Sequence, residues 1–110
     1  DRCSNDYWLV PFWWERLLKD PNYVSSLKNR WSSLRNSTLE TSNVLDRIHA
    51  YKNKLENTGA SERNFNTWDI LGEYVWPNNF VGNTYQEELN YLSEWLIVRL
   101  QWLDKEIQQL

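Results

Sequence analysis

Four groupings in this chain use residue types from which reactive sites are built. They are His49 with Asp46, the neighbouring carboxylates Glu87 and Glu88, the lone thiol Cys3, and Arg99 set among leucines and tryptophans. A carboxylate three helical positions from an imidazole can tune its basicity. With no nucleophile or pocket beside it, the pair reads as a surface ion pair. Adjacent glutamates on a helix point about 100° apart and cannot clasp one substrate. Glu87 is better explained as the cap partner of Thr84. Arg99 interrupts an apolar stripe between Leu96 and Leu103. An unpaired buried guanidinium is costly, so a structural ion pair or a snorkelling side chain is expected there.

Other chemistries lack their raw material. Cys3 is the only cysteine, which excludes an internal disulfide; it reads as a free thiol near the chain end, with a partner outside the chain as the alternative. One His and one Cys, far apart, do not make a zinc site, and no loop has the clustered acids of a calcium site. Gly59, Gly72 and Gly82 are too scattered to cradle a phosphate. The residues thus point to no catalytic, cofactor-binding or metal site. What they offer instead is eight tryptophans in 110 residues. Rings at spacings of three and four are core material, but Trp13 and Trp14 cannot share a face and Trp76 sits in a turn. These three are the expected interface residues.

The elements that carry those rings are helical. Pro11 opens a short first helix to about Lys19, since its missing N–H costs nothing there. Asp20 caps a second, which starts at Pro21 and ends near Asn36, with Tyr23, Val24, Leu27, Trp31 and Leu34 as its stripe. Ser37 to Glu40 fits a capping box for a third helix reaching about Thr58, with Val44, Ile48, Tyr51 and Leu55 buried and Gly59 as its left-handed cap. A fourth is expected from about Ser61 to Val75, burying Phe65, Trp68, Leu71 and Val75, although Gly72 could end it early. Thr84 to Glu87 is a second capping box, and the helix behind it, Tyr85 to about Gln108, should be longest and central. Its leucines form one stripe; Tyr91, Trp95, Val98 and Trp102 form another, which predicts burial on more than one side. The fold class is therefore all-α, a single compact bundle of about five helices over residues 1–110, with an expected radius of gyration of about 13 Å.

Charge and hydropathy exclude some partners. Residues 1–59 carry nine Lys/Arg against seven Asp/Glu, while residues 60–110 carry three against eight, which together give the net −3. Neither half has the concentrated positive charge that nucleic acid or an anionic membrane surface requires. No apolar run approaches a membrane span, and no signal peptide is visible. Because the chain has no Met, Asp1 is not expected to be a translational start, so the sequence reads as a processed product or an excised piece.

Three strings carry a resemblance. The first is Pro11-Phe12-Trp13-Trp14-Glu15-Arg16-Leu17-Leu18-Lys19-Asp20-Pro21, with Leu27, Arg30-Trp31 and Leu34-Arg35 after it. The second is Arg63-Asn64-Phe65 with Trp68, Leu71-Gly72 and Trp76-Pro77. The third is Thr84-Tyr85 with Glu88, Leu92, Trp95-Leu96, Arg99-Leu100 and Trp102-Leu103-Asp104. In that order and spacing, from about Pro11 to Lys105, they resemble the C-terminal helical region of the spore-coat protein H (CotH) kinase-like family.

The resemblance implies a parent related to a divergent protein kinase, associated with phosphoryl transfer from ATP to proteins, with ATP and Mg²⁺ as its cofactors. It further implies a spore-coat, secreted or cell-surface location. The family's nucleotide-binding and catalytic segments lie before the matched region, and nothing in this chain resembles them. No catalytic residue carries over. The expectation is a non-catalytic scaffold whose partner is an absent N-terminal portion of the same protein, or another protein. The alternative is a self-sufficient helical protein–protein interaction module.

Overall fold

The structure is a computed structural model that describes residues 13–110. The expected helix start at Pro11 and the thiol of Cys3 lie outside the described residues. Five helices follow in order: α1 (Trp13–Leu18), α2 (Pro21–Arg35), α3 (Thr41–Asn57), α4 (Ala60–Thr67) and α5 (Tyr85–Gln108). No strand occurs among the described residues. The 24-residue α5 is the longest. Both α2 and α3 pack on it, while α1 rests on α2 and α4 on α3.

Local chemistry sets most boundaries. Asp20 adopts an extended conformation and accepts from the backbone N–H of Asn22 at 2.8 Å, so α2 begins at Pro21. Thr84 does the same for α5, accepting from the N–H of Glu87. Gly59 sits just past α3 at φ +67°, where a side chain would be strained, and the chain turns there directly into α4.

Two boundaries depart from the sequence expectation. Ser37 does not cap α3. Its hydroxyl donates back to the Ser33 carbonyl at 2.7 Å, so it finishes α2 rather than starting the next helix. Glu40 becomes the residue before α3 and makes no side-chain cap bond. Helix α4 stops at Thr67 instead of continuing to Val75. Gly72 lies at φ +82°, outside the right-handed helical region, and its N–H is committed to the Gly82 carbonyl at 2.9 Å. Residues 68–84 therefore form an irregular connection folded back toward the start of α5.

The packing is open. The radius of gyration is 18.4 Å and the extents are 52 × 33 × 19 Å, which corrects the 13 Å expected of a closed globule. Leu100, at 7% exposure, is the single buried apolar side chain among the described residues. Around it the inner stripe of α5 (Leu96, Leu103, Ile107) and the α2 residues Val24, Leu27, Trp31 and Leu34 are only half-buried. Tyr51 and Leu55 of α3, expected inside, are exposed, as are Trp68 and Val75. Among the described residues, α2 and α3 pack on α5 and no further helix closes over them.

Candidate functional site

What positions α5 is a polar clamp near its C-terminal end. The Asp104 carboxylate accepts from the indole N–H of Trp31 at 2.8 Å and from Nε of Arg35 at 2.9 Å. The same guanidinium donates to the Leu39 carbonyl and to the Thr41 hydroxyl. One arginine thus ties together α2, the α2–α3 turn, the first residue of α3 and α5. The Arg35 side chain is 18% exposed and that of Asp104 is 39%, so the pair is half-shielded from water. Sequence reasoning did not link Trp31 and Arg35 to Asp104, which lies 73 and 69 positions further on. The signal was nonetheless present, because all three fall within the first and third strings quoted above.

The other end of α5 is fixed by its acids. Glu87 accepts from the N–H of Asn83 and Glu88 from the N–H of Gly82, each at 2.7 Å. Carboxylates at a helix N-terminus also meet the positive end of the helix dipole. Glu87 and Glu88 therefore hold the incoming loop. Gly82 is backed against Glu88 so closely that an added Cβ would lie 3.1 Å from the Glu88 nitrogen.

With both ends held, α5 presents a face that the described residues leave largely uncovered. Tyr91, Trp95, Val98 and Trp102 recur at helical spacing and are 39%, 50%, 64% and 46% exposed. The expectation that this second stripe is buried within the chain is corrected. Phe80, from the connection, stacks on Tyr91 with centroids 4.3 Å apart and planes 5° from parallel. Beside that stack runs an open groove of about 440 Å³, lined by Phe80, Tyr85, Glu88, Tyr91, Leu92 and Trp95, with the amides of Asn78 and Asn79 at one side.

The candidate interface residues are all exposed: Trp13 and Trp14 at 47% each, packed edge to face, and Trp76 at 80%. They stand at the start of α1 and in the α4–α5 connection. Six of the seven tryptophans among the described residues are exposed, and Trp31 is the exception.

The groups singled out for chemistry do not converge. His49 is exposed and makes no ion pair with Asp46. Arg99 is exposed too; of the two arrangements expected for it, an ion pair or a snorkelling side chain, it makes no ion pair among the described residues, and its guanidinium lies 4.3 Å from the Trp102 ring centroid. The Glu15 carboxyl, hydrogen-bonded to Lys19 and attracted by its charge, is held below its ordinary range, on a fully exposed helix flank. Among the described residues, no three His, Cys, Asp or Glu side chains gather where a metal ion could be held, and no helix is long and apolar enough to cross a membrane.

Comparison with known proteins adds one match. The family model described as CotH kinase protein covers residues 1–103 of the chain. No curated protein and no solved structure matches it.

Proposed function

The chain belongs to the CotH kinase protein family, and from that premise we propose that it is a non-catalytic helical portion, a scaffold that packs against a kinase-like, nucleotide-binding body. The observation that carries this reading is the uncovered stripe of α5. Fully burying one large apolar side chain stabilises by about 1.5–3 kcal/mol. Tyr91, Trp95, Val98 and Trp102 are each about half exposed, so covering the four would add about 3–6 kcal/mol. That is a large share of the stability of an ordinary domain. Isolated monomers rarely leave so continuous an apolar face in water.

In this reading ATP and Mg²⁺ belong to the kinase-like body. Phosphoryl transfer needs closely set metal-holding side chains and a phosphate cradle. Asp104 is engaged by Trp31 and Arg35, while Glu87 and Glu88 are engaged by the backbone of Asn83 and Gly82. These engagements support placing the nucleotide elsewhere, as does the use of Gly59 and Gly72 for turns and Gly82 for close packing. Trp13, Trp14 and Trp76 extend the contact beyond α5. A spore-coat or cell-surface setting is carried by the family alone.

Calorimetric titration of the chain with a non-hydrolysable ATP analogue and Mg²⁺ tests the assignment. No heat of binding is expected. Saturable one-to-one binding would overturn it. A stable dimer that persists on dilution in analytical ultracentrifugation would instead favour a self-sufficient interaction module.

A further inference from the structure

We infer that the face built from the α4–α5 connection and the first half of α5 receives a basic, apolar protein segment, one whose Lys or Arg side chains flank its apolar contacts. The inference rests on the reading above that protein covers this face, and it adds the chemistry of the cover. From Asn64 to Val98 the sequence contains no Lys, Arg or His, yet it carries Asp69, Glu73, Glu87, Glu88 and Glu94. The same stretch holds the most exposed large apolar side chains of the described residues: Trp76 at 80%, Tyr74 at 65%, and Trp68 and Val98 at 64%. Carboxylates interspersed with exposed aromatic rings, in a stretch without Lys, Arg or His, are complementary to one kind of surface.

The fold brings these features together. The Gly72 N–H bonds the Gly82 carbonyl, Glu88 holds the Gly82 N–H, and Phe80 stacks on Tyr91. The connection therefore lies along the first turns of α5, and the groove between them reaches Trp95. Glu88 is the one formally charged residue among those lining that groove. Aromatic faces attract ammonium and guanidinium groups, most strongly where water is partly excluded. The carboxylates of this stretch, none of which forms an ion pair among the described residues, add to that attraction and steer approach. Where the stripe does meet a cation of its own chain, at Arg99, the guanidinium settles on the Trp102 ring. Between Asn64 and Val98 an anionic occupant would find no counter-charge in the sequence.

The test uses two synthetic amphipathic helical peptides of equal length and pattern, one of Leu and Lys and one of Leu and Glu. Each is titrated into the chain while the amide NMR shifts of α5 are followed. The Leu/Lys peptide is expected to bind at least about tenfold more tightly, a difference of about 1.4 kcal/mol. Its advantage should shrink when ionic strength rises from about 0.01 M to about 1 M, which shortens the screening length from about 30 Å to about 3 Å. Trp95→Ala and, separately, Glu94→Lys should each weaken binding several-fold while far-UV circular dichroism stays unchanged.

Equal affinity for the two peptides, or indifference to both substitutions, would overturn the inference. Those failures leave the packing role standing, because protection of the α5 tryptophans by a kinase-like body does not depend on peptide charge.

Discussion

Replacing Asp104 by Ala removes the acceptor that joins α2 to α5, and its cost follows from what each donor then loses. Hydrogen bonds to a charged group contribute about 1.5–3 kcal/mol each. Asp104 is 39% exposed, which places its bonds at the low end, because water screens and replaces them. Arg35 keeps its bonds to Leu39 and Thr41, so its charge is not stranded. Among the described residues the indole N–H of Trp31 has no second partner, and it loses its bond outright. The sum is about 2–3 kcal/mol, dominated by the bonds to Trp31 and to Nε of Arg35. For a chain of this size that corresponds to a fall in Tm of about 10–15 °C.

Trp31→Phe, which removes the N–H but keeps a ring, should cost about 1 kcal/mol. Combined with Asp104→Ala, it should show coupling of about 1 kcal/mol, since neighbours that share a bond are not additive. Urea unfolding followed by far-UV circular dichroism supplies all four corners of the cycle. A cost for Asp104→Ala below about 0.5 kcal/mol, the level of an ordinary surface change, would refute the clamp. So would additivity within about 0.3 kcal/mol.

Three smaller perturbations check the local arguments. Thr84→Ala removes the N-cap acceptor of α5 and should cost about 1 kcal/mol in urea denaturation, with Thr84→Ser close to neutral. Gly72→Ala places a side chain at φ +82° and should destabilise by about 1–2 kcal/mol, whereas the same change in a right-handed helix would stabilise. The Glu15 carboxyl should titrate below the ordinary carboxylate range, and Lys19→Ala should raise it in a carbon-detected NMR titration. Because that folded-state value is depressed, any stability it confers is present above the unfolded carboxylate pKa and is lost as pH falls through the folded one. With both groups in water, global stability should barely respond.

Local grammar was readable from the sequence wherever a side chain closes its own backbone. Asp20, Thr84 and Gly59 each act within a few residues, so α2 and α5 begin, and α3 ends, where spacing puts them. Ser37 had two possible partners at similar separation, the N–H groups ahead and the carbonyls behind, and pattern alone cannot choose between them. Gly72 was ambiguous until its N–H was seen to bond Gly82. The clamp was illegible because nothing local demands that Trp31 and Arg35 meet Asp104. The apolar stripes of α3 and α5 were read correctly as stripes, but apolar periodicity says only that a face wants cover. It cannot say whether the cover lies within the same chain. Among the described residues, Tyr51, Trp95 and Trp102 stay exposed.

The proposal that this open helical face packs against a kinase-like body is tested by hydroxyl-radical labelling of tryptophans read by mass spectrometry. On the monomeric chain, Trp13, Trp14, Trp68, Trp76, Trp95 and Trp102 should label readily and Trp31 slowly, while in a CotH-family protein that retains its kinase-like body, the counterparts of Trp95 and Trp102 should be protected. Slow labelling of Trp95 and Trp102 in the monomer, or equal labelling in both contexts, would contradict it.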